Sequence, residues 1–134
     1  MARVIDFDLE GTVRLGDGTT QPISVSVARG YWERMLGLMG QRDVPLASGL
    51  LFPRCASIHT FWMRVPIDVL WLGRPEPDGR TLRVTGAVGS LEPNRVELAP
   101  HGTWGVLEVR AQTLAPHAPV SVEVSGLTLG DLRQ

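Results

Sequence analysis

The sequence predicts a mainly β domain: a compact sandwich or small barrel of short, mostly antiparallel strands, with one or two short helices. Three observations support this fold class. Apolar and polar residues alternate with a period of two in several short runs, the pattern of a strand with one face in water. Fifteen glycines and ten prolines separate those runs. A single run has helical spacing instead. Many short elements with close turns favour a sandwich or barrel.

The alternation predicts the strands in order along the chain. Runs of this kind occur at residues 5–9, 23–28 and 120–125. The glycines of Gly16-Asp17-Gly18 predict a hairpin turn between the first strands. Residues 74–80 hold two prolines, an aspartate and a glycine, and they predict a turn between two further apolar runs. Residues 93–105 have no regular pattern.

The segment 31–39 differs from the rest of the chain. Its apolar residues recur at helical spacing, which predicts a short amphipathic helix of two to three turns. Gly40 is suited to cap its C-terminus. Gly37 lies inside the segment and costs about 1 kcal/mol relative to alanine. The helix therefore either packs closely at Gly37 or ends early.

The composition describes one globular domain over residues 1–134. The net charge of −1 gives no reason to expect nucleic acid or an anionic membrane as a partner. Cys55 is the only cysteine, so the chain has no internal disulfide. The sequence shows neither a signal peptide nor the ~20 apolar residues of a membrane helix. We therefore expect a cytoplasmic protein that does not engage a membrane.

Cys55, His59 and Met63 carry soft metal ligands at intervals of four residues. Their neighbours predict a strand, in which four residues span about 13 Å. Three ligands that each lie about 2 Å from one metal ion do not fit that spacing. The sequence therefore predicts no metal site, and it indicates no cofactor.

Asp68 is the most informative polar residue of this region. By alternation it shares a strand face with Leu70 and Leu72. A carboxylate on an apolar face needs a hydrogen-bond donor, because its burial without one is costly. Asp68 is therefore either half of a structural ion pair or the polar anchor of a binding cleft. The possible donors are Arg34, Arg64 and His59.

His59 has two interpretations. A histidine alone on an apolar face is often a hydrogen-bonded core residue, whereas an imidazole next to Asp68 would be oriented for acid–base work. By alternation His59 shares its face with Met63. No serine, threonine or second carboxylate stands out as a nucleophile. The sequence therefore does not decide whether the domain is an enzyme.

Glu108 and two tryptophans complete the set of candidates. By alternation Glu108 shares a face with Val106 and Arg110, which indicates a solvated face, and its alternative is to receive Arg34. Trp62 and Trp104 offer indole rings that stack on planar ligands, and their alternative is a place in the core.

Four ordered segments resemble the domain of unknown function 192 family. Residues 32–39 resemble its E-R-x-x-G-L-M signature, and residues 49–52 its G-M-L-F element. Residues 57–72 are similar to S-I-H-T-F-x-M-R-x-P-I-D-V-x-F-L, and residues 105–109 to its V-L-E-L strand. The resemblance covers about residues 23–112. It implies a compact β-rich fold and no activity. The motif positions are Glu33, Arg34, His59, Met63, Asp68 and Glu108.

The chain departs from this family pattern in several places. Trp71 replaces the usual phenylalanine, and a glycine is lost after the glutamate strand, at Ala111-Gln112-Thr113. The helix and Gly-Asp ending expected after that strand are absent there, and Gly130-Asp131 comes later. Strands within residues 3–22 and 120–125 are expected as additions to the same sheet, paired with each other.

Together these observations favour a module that binds a small ligand or a protein partner. The predicted site is a cleft between the helix and a hairpin formed by residues 58–72. The alternatives are a hydrolase-like enzyme that uses His59 and Asp68, and a purely structural or interaction domain. The candidate ligand-binding residues are Arg34, His59, Trp62, Asp68, Trp104 and Glu108.

Overall fold

The computed structural model describes residues 5–29, 47–60, 63, 66–111 and 118–132. Within these ranges the chain forms nine strands and one short helix. They are β1 (Leu9–Leu15), β2 (Thr20–Val27), β3 (Ser48–Phe52), β4 (Ser57–His59), β5 (Ile67–Leu72), β6 (Thr81–Leu91), β7 (Val96–Leu98), β8 (Gly105–Arg110), β9 (Pro119–Val124) and α1 (Leu129–Leu132).

Seven of the strands close into a barrel, which confirms the predicted fold class. Their order around the barrel is β1-β2-β3-β8-β5-β6-β9, and β9 pairs again with β1. Every neighbouring pair is antiparallel except β2 and β3, which run parallel. Strands β4 and β7 form a separate two-stranded antiparallel sheet.

The predicted turns join the expected strands. The first hairpin connects β1 and β2, and the N–H of Gly18, whose φ is +89°, donates to the carbonyl of Leu15. The second turn connects β5 and β6. There the carboxylate of Asp78 accepts the backbone N–H groups of Arg80 and Thr81 and the Thr81 hydroxyl. These hydrogen bonds, led by that of the Thr81 side chain, lower the pKa of Asp78 to about 2.

The barrel separates two hydrophobic cores. Alternate residues of each strand point into the barrel and form the interior core. The opposite side of β3, β5 and β8 is also buried, and it forms the outer core, to which β4 contributes Ile58. The interior core contains Val13, Leu15, Ile23, Val25, Val27, Leu51, Leu70, Leu72, Leu82, Trp104, Leu107, Val109, Val122 and Val124. The outer core contains Ala28, Leu50, Phe52, Ile58, Met63, Ile67, Val69, Trp71, Leu91 and Val106.

Two glycines allow β3 and β8 to lie close together. A Cβ atom on Gly105 would stand 2.7 Å from the carbonyl oxygen of Phe52, and one on Gly49 would stand 2.7 Å from a methyl group of Leu107. The first contact is with backbone, which cannot rotate away. The close approach of β3 and β8 therefore requires glycine at position 105.

Two arginines bind the C-terminal helix to the barrel through hydrogen bonds. Arg29 Nε and Nη2 donate to the two carboxylate oxygens of Asp131 at 2.8 and 2.9 Å, and the backbone N–H of Thr128 donates to Asp131 Oδ2 at 2.9 Å. Arg54 Nη1 donates to the carbonyls of Gly130 and Asp131. Burial raises the pKa of Asp131, but the hydrogen bonds from Arg29 and Thr128 outweigh that effect and the pKa is lowered.

Two expectations about elements were wrong. Strand β1 begins at Leu9 rather than Ile5. In one continuous strand these two residues would share a face, but Ile5 packs against the outer core and Leu9 against the interior core. The 58–72 hairpin does not exist, because β4 and β5 belong to different sheets. Residues 93–105, to which the sequence pattern assigned no element, contain β7.

The predicted helix at 31–39 lies outside the described residues. The short helix α1, which carries Gly130-Asp131, had no signal in the periodicity. No helix in the described part of the chain is long and apolar enough to cross a membrane.

Candidate functional site

The outer face of the three central strands is the most unusual surface of the barrel. Strands β3, β8 and β5 are neighbours, and their residues are buried on both sides of the sheet over most of their length. The residues that face outward are almost all apolar. They include Leu50, Phe52, Ile67, Val69, Trp71 and Val106.

Glu108 is a buried charged residue within this outer face, and Arg110 lies on the same face at the exposed end of β8. Its register in β8 places it directly between Leu50 of β3 and Val69 of β5, and it is only 5% exposed. The expectation that Glu108 lies on a solvated face was therefore wrong, because packing covers the outer side of β8 as well as its interior side. A buried carboxylate is retained only where donors stabilise it, so its position marks a polar site within an apolar surface.

His59 lies at the end of β4, away from the core. In the two-stranded sheet Ile58 faces the outer core, whereas Ser57 and His59 are exposed on the opposite face. Met63 does not share that face, since it is buried in the outer core. The reason is local: β4 ends at His59, and the N–H of Met63 turns back to donate to the carbonyl of Thr60.

Thr60, which the sequence analysis did not single out, holds the end of β4 in place. Its side chain is completely buried. The hydroxyl donates to the carbonyl of Glu92 at 2.7 Å and accepts the N–H of Arg95 at 2.8 Å. The backbone of Thr60 also bonds Asn94 and Arg95. Its sequence signal was a hydroxyl that alternates with the apolar residues Ile58 and Trp62.

Asp68 stabilises an irregularity in the barrel. The register between β5 and β6 shifts between Ile67 and Val69, so that one extra residue of β6 lies opposite Asp68. Oδ1 of Asp68 accepts the backbone N–H of Ser90 at 2.7 Å. Ser90 has a φ of +50°, the conformation of a β-bulge residue. This donor was not among the expected ones, and the Gly89-Ser90 pair within a strand was its sequence signal.

The remaining candidates divide between the core and the part of the chain that is not described. Trp104 is 7% exposed and packs in the interior core, on the opposite side of the sheet from Glu108. Arg34 and Trp62 lie outside the described residues.

The four described candidates do not form one cluster. His59 and Asp68 belong to different sheets, and Asp68 and Glu108 lie on opposite faces of neighbouring strands. Glu108 alone combines burial, charge and an apolar surrounding. Across the described ranges, no group of three or more histidines, cysteines, aspartates or glutamates could hold a metal ion.

Comparison with known proteins agrees with this fold. The family model DUF192, described as "Uncharacterized ACR", matches residues 12–119. No curated protein matches the sequence.

Two solved structures are similar to the chain. A "putative transcription regulator" from Sinorhizobium meliloti 1021 is 20% identical, with a TM-score of 0.74, over 94% of this chain and 100% of that chain. A protein of unknown function from Novosphingobium aromaticivorans DSM 12444 is 19% identical, with a TM-score of 0.65, over 84% of this chain and 82% of that chain. At these identities the likeness concerns the fold.

Proposed function

The chain belongs to the domain of unknown function 192 family, which has no established activity, and we propose from its own geometry that it is a binding module whose polar anchor is Glu108. The ligand is a small molecule or a segment of a partner protein. One observation carries the proposal: a carboxylate that is 5% exposed lies on the outer, not the interior, side of the barrel.

The surroundings of Glu108 support recognition by a few oriented polar contacts. Leu50 and Val69 flank it and exclude water, and a hydrogen bond to a carboxylate is stronger in a surrounding of low dielectric constant. Binding sites for small molecules are typically apolar surfaces with a small number of placed polar groups. Arg34 and Trp62 stay proposed members of the same site. A cytoplasmic location also stays a proposal.

The contacts of the described residues do not favour the hydrolase-like alternative. That alternative required Asp68 to orient His59. Oδ1 of Asp68 accepts the N–H of Ser90, so this oxygen supports the bulge. His59 stays a candidate for ligand contact because its side chain is exposed at the end of β4.

The test is a thermal-shift screen of the purified protein against sugars, nucleotides, metabolites and peptides. A ligand present at 100 times its dissociation constant adds about 2.7 kcal/mol, which raises the melting temperature by several degrees. Glu108→Gln keeps the shape of the side chain and removes its charge. Glu123→Gln is the matched control, because Glu123 is exposed on β9.

We expect a compound that stabilises the unmodified protein and the Glu123→Gln variant, but not Glu108→Gln. Circular dichroism must show that both variants are folded. A broad library without any stabilising compound would contradict the small-ligand form of the proposal. A compound that stabilises both variants equally would place the ligand away from Glu108.

A further inference from the structure

The two-stranded sheet has an open edge at β7. Strand β7 has β4 as its neighbour on one side, and no strand of the described ranges lies on the other. The N–H of Ala99 donates to Ala56, and the N–H of Thr60 donates to Arg95. In an antiparallel ladder the backbone groups alternate in direction, so those of Val96 and Leu98 point toward the open side.

The same two residues expose apolar side chains. Val96 is 60% exposed and Leu98 is 74% exposed, and they stand on the outward face of the sheet beside His59 and Ser57. The barrel strands are paired on both sides, so β7 combines exposed apolar side chains with unused backbone groups. Such an edge is a template for pairing with another strand.

The charged residues on either side of Val96 are complementary between two antiparallel copies of β7. Arg95 precedes Val96 and Glu97 follows it. When two copies of β7 pair antiparallel with Val96 opposite Val96, Arg95 of each copy faces Glu97 of the other. Cross-strand pairs of opposite charge stabilise a sheet, whereas like charges destabilise it. A register centred on Glu97 would instead place two carboxylates opposite each other.

We propose that the open edge of β7 binds β7 of a second copy of this chain, in the antiparallel register centred on Val96. The two sheets then join into one four-stranded sheet across a two-fold axis, an isologous interface. Two backbone hydrogen bonds between the Val96 residues, two Arg95–Glu97 pairs and the exposed aliphatic side chains hold it together. Glu108 lies on β8 of the barrel, whereas this edge is tested by variants of β7, so either proposal can fail without the other.

An interface this small gives a weak dimer, with a dissociation constant of about 0.1–1 mM. Sedimentation equilibrium at low salt, over about 0.05–2 mM protein, measures it. Arg95→Glu and Glu97→Arg each turn two attractive pairs into two repulsive ones, and we expect each to weaken self-association about five- to tenfold. Arg14→Glu, a charge reversal on the exposed side of β1, is the control and should leave self-association unchanged.

The decisive measurement is an equimolar mixture of the Arg95→Glu and Glu97→Arg variants. In a mixed dimer every introduced charge faces an opposite charge, so association should return to within about twofold of the unmodified chain. Melting temperatures show that each variant is folded. The proposal is overturned if the unmodified chain stays monomeric at about 2 mM, if neither variant weakens the dimer, or if mixing does not restore it.

Discussion

Asp131 is expected to anchor the C-terminal helix to the barrel, and Asp131→Ala tests this. The substitution removes both carboxylate oxygens that receive the Arg29 guanidinium and the acceptor for the Thr128 N–H. Arg29 loses its bonds to Asp131, but its side chain is 48% exposed, so water rehydrates it and no buried charge is left behind.

The magnitude follows from those three hydrogen bonds. The bond from Thr128 resembles a helix cap, worth about 1 kcal/mol. A bidentate arginine–carboxylate pair is stronger than an ordinary surface pair, but the exposure of Arg29 limits it to about 1 kcal/mol. We expect a loss of about 2 kcal/mol in the free energy of unfolding, or about 6–10 °C in melting temperature.

Urea unfolding, followed by circular dichroism, measures this loss. A double-mutant cycle with Arg29→Ala isolates the pair and should give a coupling energy of about 1 kcal/mol. A loss below about 0.5 kcal/mol, or a coupling energy near zero, would refute the anchoring role.

The effect should also depend on pH with a defined sign. The pKa of Asp131 is lowered in the folded state from its ordinary value of 3.8. Its contribution to stability is therefore complete well above pH 3.8 and is lost as the pH falls through the lower folded pKa. The difference between the unmodified protein and Asp131→Ala should shrink only in that acidic range. A difference that disappears between pH 7 and pH 5 would contradict this assignment.

Three further predictions concern turns and close contacts. An NMR titration should give Asp78 a pKa of about 2, and Thr81→Val should raise it by removing the leading hydrogen bond; an unchanged value would contradict that cause. Gly105→Ala should destabilise the protein by about 1–3 kcal/mol in urea unfolding. Gly73→Ala should cost less, because the atom nearest to its new Cβ would be a Thr85 methyl group at 3.6 Å. Thr60→Val should cost about 2 kcal/mol and speed amide exchange in the loop after β6; unaltered exchange would show that the hydroxyl does not hold this loop.

The alternation predicted the interior of the barrel well. Ile23, Val25 and Val27 face the interior core as the period of two requires. The same rule failed at Glu108, because it assumes that one face of each strand meets water. Strand β8 is buried on both faces. Because one of these faces carries Glu108 and ends at Arg110, its sequence pattern is that of a face in water.

Long-range partners were beyond the reach of the sequence pattern. Arg29 and Asp131 are 102 residues apart, and neither has a local feature that indicates the other. Asp68 likewise bonds a backbone N–H that becomes available only through the register shift. Periodicity describes how a segment divides between water and core, whereas these contacts depend on the order of strands around the barrel.

The pairing of β1 with β9 has a consequence for how the protein folds. Gly11 pairs with Val124, so the last seam of the barrel joins segments more than a hundred residues apart in the chain. During synthesis β1 and β6 each keep one unpaired edge until β9 has emerged, because β9 is their shared neighbour. Folding with such distant contacts is slow, and open edges favour association with other chains. The nascent protein should therefore need protection from aggregation until its final strand is available.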